Sequence, residues 1–128
     1  MRVFVYFNLH RKCFSIKALE GANKGRVIAH RNNALLFDAT FKVSEAGRQR
    51  VIREQRKNVH AGVVGNWIDS SGDYATIDAV AINGSAITYN PYKHDTFVHL
   101  YGEHRIDNAR LVALTTTETK RPRINVWN

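Results

Sequence analysis

Six histidines are the residues of this 128-residue chain best suited to acid–base work: His10, His30, His60, His94, His99 and His104. Two imidazoles, with an arginine or lysine to stabilise phosphoryl charge, would make a metal-independent ribonuclease. His60 and His99 are the natural pair, although nothing in their spacing demands it. His94, His99 and His104 recur every five residues, which suits one face of neither a strand nor a helix. A zinc site built from them needs a loop to fold back, and no metal is expected. The blander reading makes the histidines polar surface or hydrogen-bonded core. Cys13 is the single cysteine, which excludes an intramolecular disulfide and a Cys-based zinc site. It lies in an alternating stretch and reads as a core thiol. No cofactor is implied. Gly62-Val63-Val64-Gly65 precedes neither Lys-Ser nor Lys-Thr, and no Gly-x-Ser-x-Gly occurs.

Cations offer a different chemistry, the recognition of phosphate. Lys and Arg number 19 against 11 Asp and Glu, a net charge of +8. Residues 1–57 hold thirteen basic and four acidic side chains, an excess of nine; residues 58–128 hold six and seven. The surplus therefore lies wholly in the first half. A surface of such uneven sign attracts polyanions by releasing their counterions. Ser44 is a good N-cap, with Glu45 placed to favour the helix dipole, so a helix is expected over about 45–57. On its wheel Gly47, Val51, Ile52 and Gln55 gather on one side. Arg50, Arg53 and Lys57 form a stripe on the other, with Arg56 beside them and Arg48 at the margin. Arg31 and Lys42 extend the patch. Arginine suits phosphate because its planar donors bind in pairs. Tyr89 and Tyr92 flank Pro91 and are candidates for stacking on unpaired bases.

The leading expectation is a non-enzymatic protein that binds nucleic acid, RNA or single strands in preference to a specific duplex. The alternatives are a protein that binds and inhibits or redirects another protein, such as a nucleic-acid enzyme, and the small ribonuclease.

The runs Tyr6-Phe7-Asn8-Leu9-His10-Arg11-Lys12-Cys13-Phe14-Ser15-Ile16-Lys17-Ala18-Leu19-Glu20-Gly21 and Gly25-Arg26-Val27-Ile28-Ala29-His30 carry a resemblance, as do Lys42-Val43-Ser44-Glu45-Ala46-Gly47-Arg48-Gln49-Arg50-Val51, Arg56-Lys57-Asn58-Val59-His60-Ala61-Gly62 and Tyr89-Asn90-Pro91-Tyr92-Lys93. Together they resemble a family of small uncharacterised proteins encoded by tailed bacteriophages and prophages. The resemblance implies expression in a bacterial host cytoplasm. It implies no catalytic residues, and it makes host takeover or anti-defence the setting, with a host protein such as a nucleic-acid enzyme or a defence complex as the alternative partner.

The elements that must position these groups are mostly strands. Residues 3–7 are β-branched and aromatic, 13–19 alternate, and the two make a hairpin. Residues 26–30 form a short strand. Leu35, Phe37, Ala39, Phe41 and Val43 alternate with Leu36, Asp38, Thr40 and Lys42, the clearest half-buried strand. Residues 59–68 contain Gly62 and Gly65 and read as a strand with a bulge or a close backbone approach. Strands are expected at 74–82 and 85–89, joined by Asn83-Gly84, then at 97–101 and 109–114. Residues 102–108 read as a loop. Residues 115–128 read as a polar, basic tail that is flexible or docks through Trp127. The fold class expected is α+β: a mainly antiparallel, curved or barrel-like sheet with one basic amphipathic helix, in a single domain over 1–128. No apolar run approaches the roughly 18 residues of a membrane span, and no signal peptide is legible.

Overall fold

The structure is a computed structural model. It describes residues 1–8, 10–43, 49, 53, 61–68, 77, 79, 85–88, 97–99, 105–106, 108–116 and 122–127. These form ten strands: β1 (Arg2–Asn8), β2 (Cys13–Ala18), β3 (Val27–Arg31), β4 (Ala34–Val43), β5 (Ala61–Trp67), β6 (Ser85–Thr88), β7 (Phe97–His99), β8 (Arg105–Ile106), β9 (Asn108–Thr116) and β10 (Pro122–Trp127). All belong to one sheet in the order β3-β2-β1-β5-β4-β9-β10-β6-β7-β8. Every pairing is antiparallel.

This corrects the α+β expectation. The order begins at β3 and ends at β8, with no pairing between them, so the sheet is open and not a closed barrel. Helical backbone among the described residues is confined to Gln49, Arg53, Ile77 and Ala79. The segment 45–57, expected as a basic helix, otherwise lies outside the described residues. Ile77 and Ala79 also correct the strand expected at 74–82. Local β-propensity was a poor guide there, because it reports fit to a pleated surface more than backbone preference. Residues 122–127, expected in a tail, are an inner strand instead. β10 lies between β9 and β6, and Val126 joins the core. The loop read at 102–108 contains β8 and the start of β9.

The sheet coils strongly. β3 and β4 are joined only by Asn32 and Asn33, yet β2, β1 and β5 lie between them in the sheet. Four steps across a flat sheet come to about 19 Å. The three residue steps from Arg31 to Ala34 span at most about 11 Å. Only a sheet rolled around its inner face meets both conditions. Two contacts across the roll agree with it. The Arg31 guanidinium carbon lies 5.7 Å from the centre of the Trp67 ring. Thr116 Oγ1 donates to the Asn32 carbonyl at 3.2 Å.

The rolled inner face holds the main core. Val3, Val5 and Phe7 alternate inward from β1, Phe14 and Ile16 from β2, and Val63 from β5. Ala34, Leu36, Ala39 and Phe41 of β4 join them, with Ala109, Val112 and Leu114 of β9. Phe7 and Phe14 meet edge to face, centroids 5.4 Å apart. A smaller cluster sits on the outer face, where Ile77 packs with Leu35 and Ala113 against Phe37 and Leu111.

The alternation read along 35–43 therefore does not hold. Leu36 faces inward with Ala39 and Phe41, while Leu35 and Phe37 face outward. The phase changes at Asp38. Leu36 pairs with Trp67 and Phe37 with Asn66, but Thr40 pairs with Val64, one residue out of step. Asp38 has φ of 47°, in the left-handed region. One inserted residue bends the strand and re-aims the side chains beyond it. β9 changes phase at the same level, since Ala109 and Val112 both face inward. Arg110 is the residue of β9 that faces Asp38 in the register, between Phe37↔Leu111 and Ala39↔Ala109.

Candidate functional site

The outer face of β1 brings together the groups that could bind a ligand. With Val3, Val5 and Phe7 turned inward, Arg2, Phe4, Tyr6 and Asn8 point outward, all half-buried. Phe4 and Tyr6 lie with ring centroids 5.9 Å apart and planes inclined at 31°. Lys17 stands opposite Phe4 in the β1–β2 register, and Ser15 opposite Tyr6. Gly62 explains how Phe4 lies down on the sheet. A Cβ built there would come 2.7 Å from Phe4 Cζ and would collide with the Val5 carbonyl.

At one end of this row the chain turns from β1 to β2. Asn8 shapes the turn by accepting from the His10 and Arg11 amides at 3.0 and 3.1 Å. The Lys12 amide donates to the Asn8 carbonyl at 2.7 Å, and Lys12 has φ of 56°. An asparagine side chain that satisfies the amides two and three residues on is a common way to fix a turn. His10, Arg11 and Lys12 are exposed on it. Asn8 also anchors the turn to the sheet, its amide donating to Ser15 Oγ at 3.1 Å. Ser15 Oγ lies 3.0 Å from His30 Nδ1.

A hydroxyl beside an imidazole is the beginning of a nucleophile–base pair. Ser15 is 0% exposed, however, so no substrate atom can reach its oxygen. The pair satisfies buried polar groups, and it accounts for His30 as a hydrogen-bonded histidine of the sheet.

At the other end of the row lies an open recess of 490 Å³, lined by Arg2, Asp38, Thr40, Asn108, Ala109 and Arg110. The bulge positions Asp38 here. Arg2 Nη1 donates to the Asp38 carbonyl at 3.0 Å, and Thr40 Oγ1 donates to Asn108 Oδ1 at 2.9 Å. Asp38 and Arg110 are both exposed. The recess therefore offers two guanidinium groups, one carboxylate and an oriented amide. That set binds polar, planar or anionic groups.

Of the residues singled out from the sequence, Arg31 is half-buried at the end of β3, where its Nη1 donates to the His30 carbonyl at 3.0 Å. Its guanidinium is held over Trp67 and is not part of the outer row. Lys42 is a β4 residue paired with Gly62 in the register, and His99 is a β7 residue paired with Ile87. Arg53 is exposed. Arg48, Arg50, Arg56, Lys57, His60, Tyr89 and Tyr92 lie outside the described residues. Cys13 is half-buried, opposite Asn8. Among the described residues, no three His, Cys, Asp or Glu side chains are grouped to hold a metal ion, and no helix is long and apolar enough to cross a membrane.

Sequence reasoning missed Arg2, Asp38, Asn108 and Arg110. One signal was available, since Asp is depleted in strand interiors and Asp38 stands in the middle of an apolar run.

The family described as Mycobacterium phage L5 gene 82 protein matches residues 1–121. The Gene 82 protein of Mycobacterium phage L5 is 50% identical over 105 residues, which covers 77% of this chain and 78% of that protein. No solved structure matches.

Proposed function

Because this chain belongs to the phage-encoded family of the Mycobacterium phage L5 gene 82 protein, we propose that it acts in the bacterial host cytoplasm as a non-enzymatic binder of single-stranded nucleic acid, RNA above all. One observation supports this most directly. Along a single strand, β1, the outer face sets out Arg2, then the Phe4–Tyr6 ring pair, then a turn bearing His10, Arg11 and Lys12. The row from Arg2 to Asn8 is about 20 Å long at the usual rise per residue. Aromatic rings on a sheet face stack with bases of any identity, and flanking cations take the phosphates.

Arg2, Arg11, Lys12 and Lys17 are the proposed phosphate contacts, and Phe4 and Tyr6 the stacking platforms. Arg53 and the neighbouring cations of 48–57 extend the basic surface in this reading. A duplex fits the row less well, because its bases are already stacked on one another. The ribonuclease alternative rests on His60 and His99, and unchanged labelled RNA at high protein concentration, with and without EDTA, would remove it.

The test is fluorescence anisotropy of a labelled 12-nucleotide RNA and of the matching duplex, across a salt series. Single-strand binding that weakens with salt, and weakens again in a Phe4→Ala/Tyr6→Ala double variant, supports the reading. No retention of RNA or DNA at low salt overturns it. In a parallel pull-down from host lysate, a stoichiometric protein partner that survives nuclease treatment favours the host-protein alternative.

A further inference from the structure

A surface built to hold phosphates should avoid carboxylates, yet Asp38 stands exposed in the recess at the Arg2 end of the row. Its position is not a by-product of a regular strand. The backbone at Asp38 is left-handed, a conformation that costs most residues roughly 1–2 kcal/mol, and β4 and β9 both change phase at this level. Bulges of this kind re-aim side chains toward binding sites. The left-handed backbone that β4 keeps at Asp38 points to a use for the side chain it presents.

We propose that Asp38 reads a guanine base in the strand bound along β1. This rests on the reading of the outer face as a single-strand surface and names what that surface selects. Guanine is the base whose pairing edge offers two adjacent N–H donors, N1–H and the N2 amino group. A carboxylate accepts both at once. Adenine and cytosine offer one amino group beside an acceptor, and uracil offers one imino group between two carbonyls.

The rest of the recess fits the remainder of that edge. Guanine O6 needs a donor, and the Asn108 amide lines the site. Asn108 has its oxygen engaged by Thr40, which fixes the amide with its NH2 group available as the donor. Arg2 is tied to the Asp38 carbonyl, so the bulge is braced from β1 through its backbone.

The experiment compares labelled oligouridine, the same oligomer with a central guanosine, and the same oligomer with inosine at that position. Inosine keeps N1–H and O6 and lacks only the N2 amino group. The wild-type protein is expected to prefer the guanosine oligomer over oligouridine by about tenfold, in line with a bidentate base contact. Inosine should forfeit most of that preference. In Asp38→Asn, which tolerates the same backbone, the three affinities should converge. Wild-type binding with no preference among the three oligomers overturns the guanine proposal and leaves the single-strand reading standing. A preference that persists in Asp38→Asn overturns the role of Asp38. Failure to bind any of the three overturns the single-strand reading, and the guanine proposal falls with it.

Discussion

Gly65 of β5 faces Ala39 of β4 so closely that a Cβ on Gly65 would lie 3.2 Å from the Ala39 Cβ. It would also lie 3.0 Å from the Leu36 Cβ. The cause is the extra residue at Asp38, which turns both Leu36 and Ala39 inward on either side of the bulge. The glycine is the space that the bulge consumes. Gly65→Ala should therefore destabilise the protein by about 1–3 kcal/mol, the usual cost of overpacking a core. Urea denaturation would measure it. Gly62→Ala should cost more, since its Cβ meets the Val5 backbone and not only a movable ring.

Asp38 itself sets up a contest between two effects. Glycine relieves the left-handed strain at φ 47° but adds freedom to the unfolded chain. The two nearly offset, so Asp38→Gly should change stability by less than about 1 kcal/mol. Asp38→Val has a β-branched side chain that the conformation rejects, and it should lose more than about 2 kcal/mol. Thermal unfolding of the pair checks this. Equal losses in both variants would mean that the carboxylate, and not the backbone, holds the bulge.

Buried Ser15 links half-buried Asn8 to half-buried His30. Ser15→Ala removes the acceptor of the Asn8 amide and the partner of the His30 ring. The expected loss is about 1–3 kcal/mol, the cost of leaving buried polar groups unmade. Hydrogen exchange should show a second consequence, faster exchange at the His10 and Arg11 amides, because Asn8 would hold the turn less firmly. Unchanged exchange there would separate the turn from the network.

Arg11 and Lys12 test the electrostatic part of the proposed function. Each phosphate neutralised on a single strand contributes about 0.7 to the slope of log affinity against log salt. Arg11→Ala/Lys12→Ala should thus flatten that slope by about 1.4, with little change in unfolding midpoint, since both side chains are exposed. An unaltered slope would remove the turn from the binding surface.

How much of the fold was legible in the sequence depends on the strand. β1, β2, β3 and β5 were readable within a residue or two, because β1 and β2 turn Val3, Val5, Phe7, Phe14 and Ile16 inward by alternation and turn residues mark the strand ends. Gly62 and Gly65 announced close backbone approach, and both make it. β4 announced a regular alternation that the structure breaks. The residues on both sides of the bulge are apolar, so either phase looks amphipathic on paper. β10 hid behind Lys120-Arg121-Pro122-Arg123, whose charge and proline suggest a tail. Its neighbour β9 supplies the pairing that local composition cannot. The recess was the least visible feature. Arg2, Asp38 and Arg110 lie at distant points of the chain and meet only because β1, β5, β4 and β9 are neighbours.

The link of Asn32 and Asn33 between β3 and β4 has a meaning beyond connectivity. It works as a drawstring, since a cord of fixed length joins two strands that the ladder would hold far apart. Curvature of the sheet is thereby encoded in a count of residues. Lengthening the cord with glycine and serine would permit the roll to slacken without removing a single ladder bond. Arg31 would then swing off Trp67, and the mouth of the inner core would open to water along that seam.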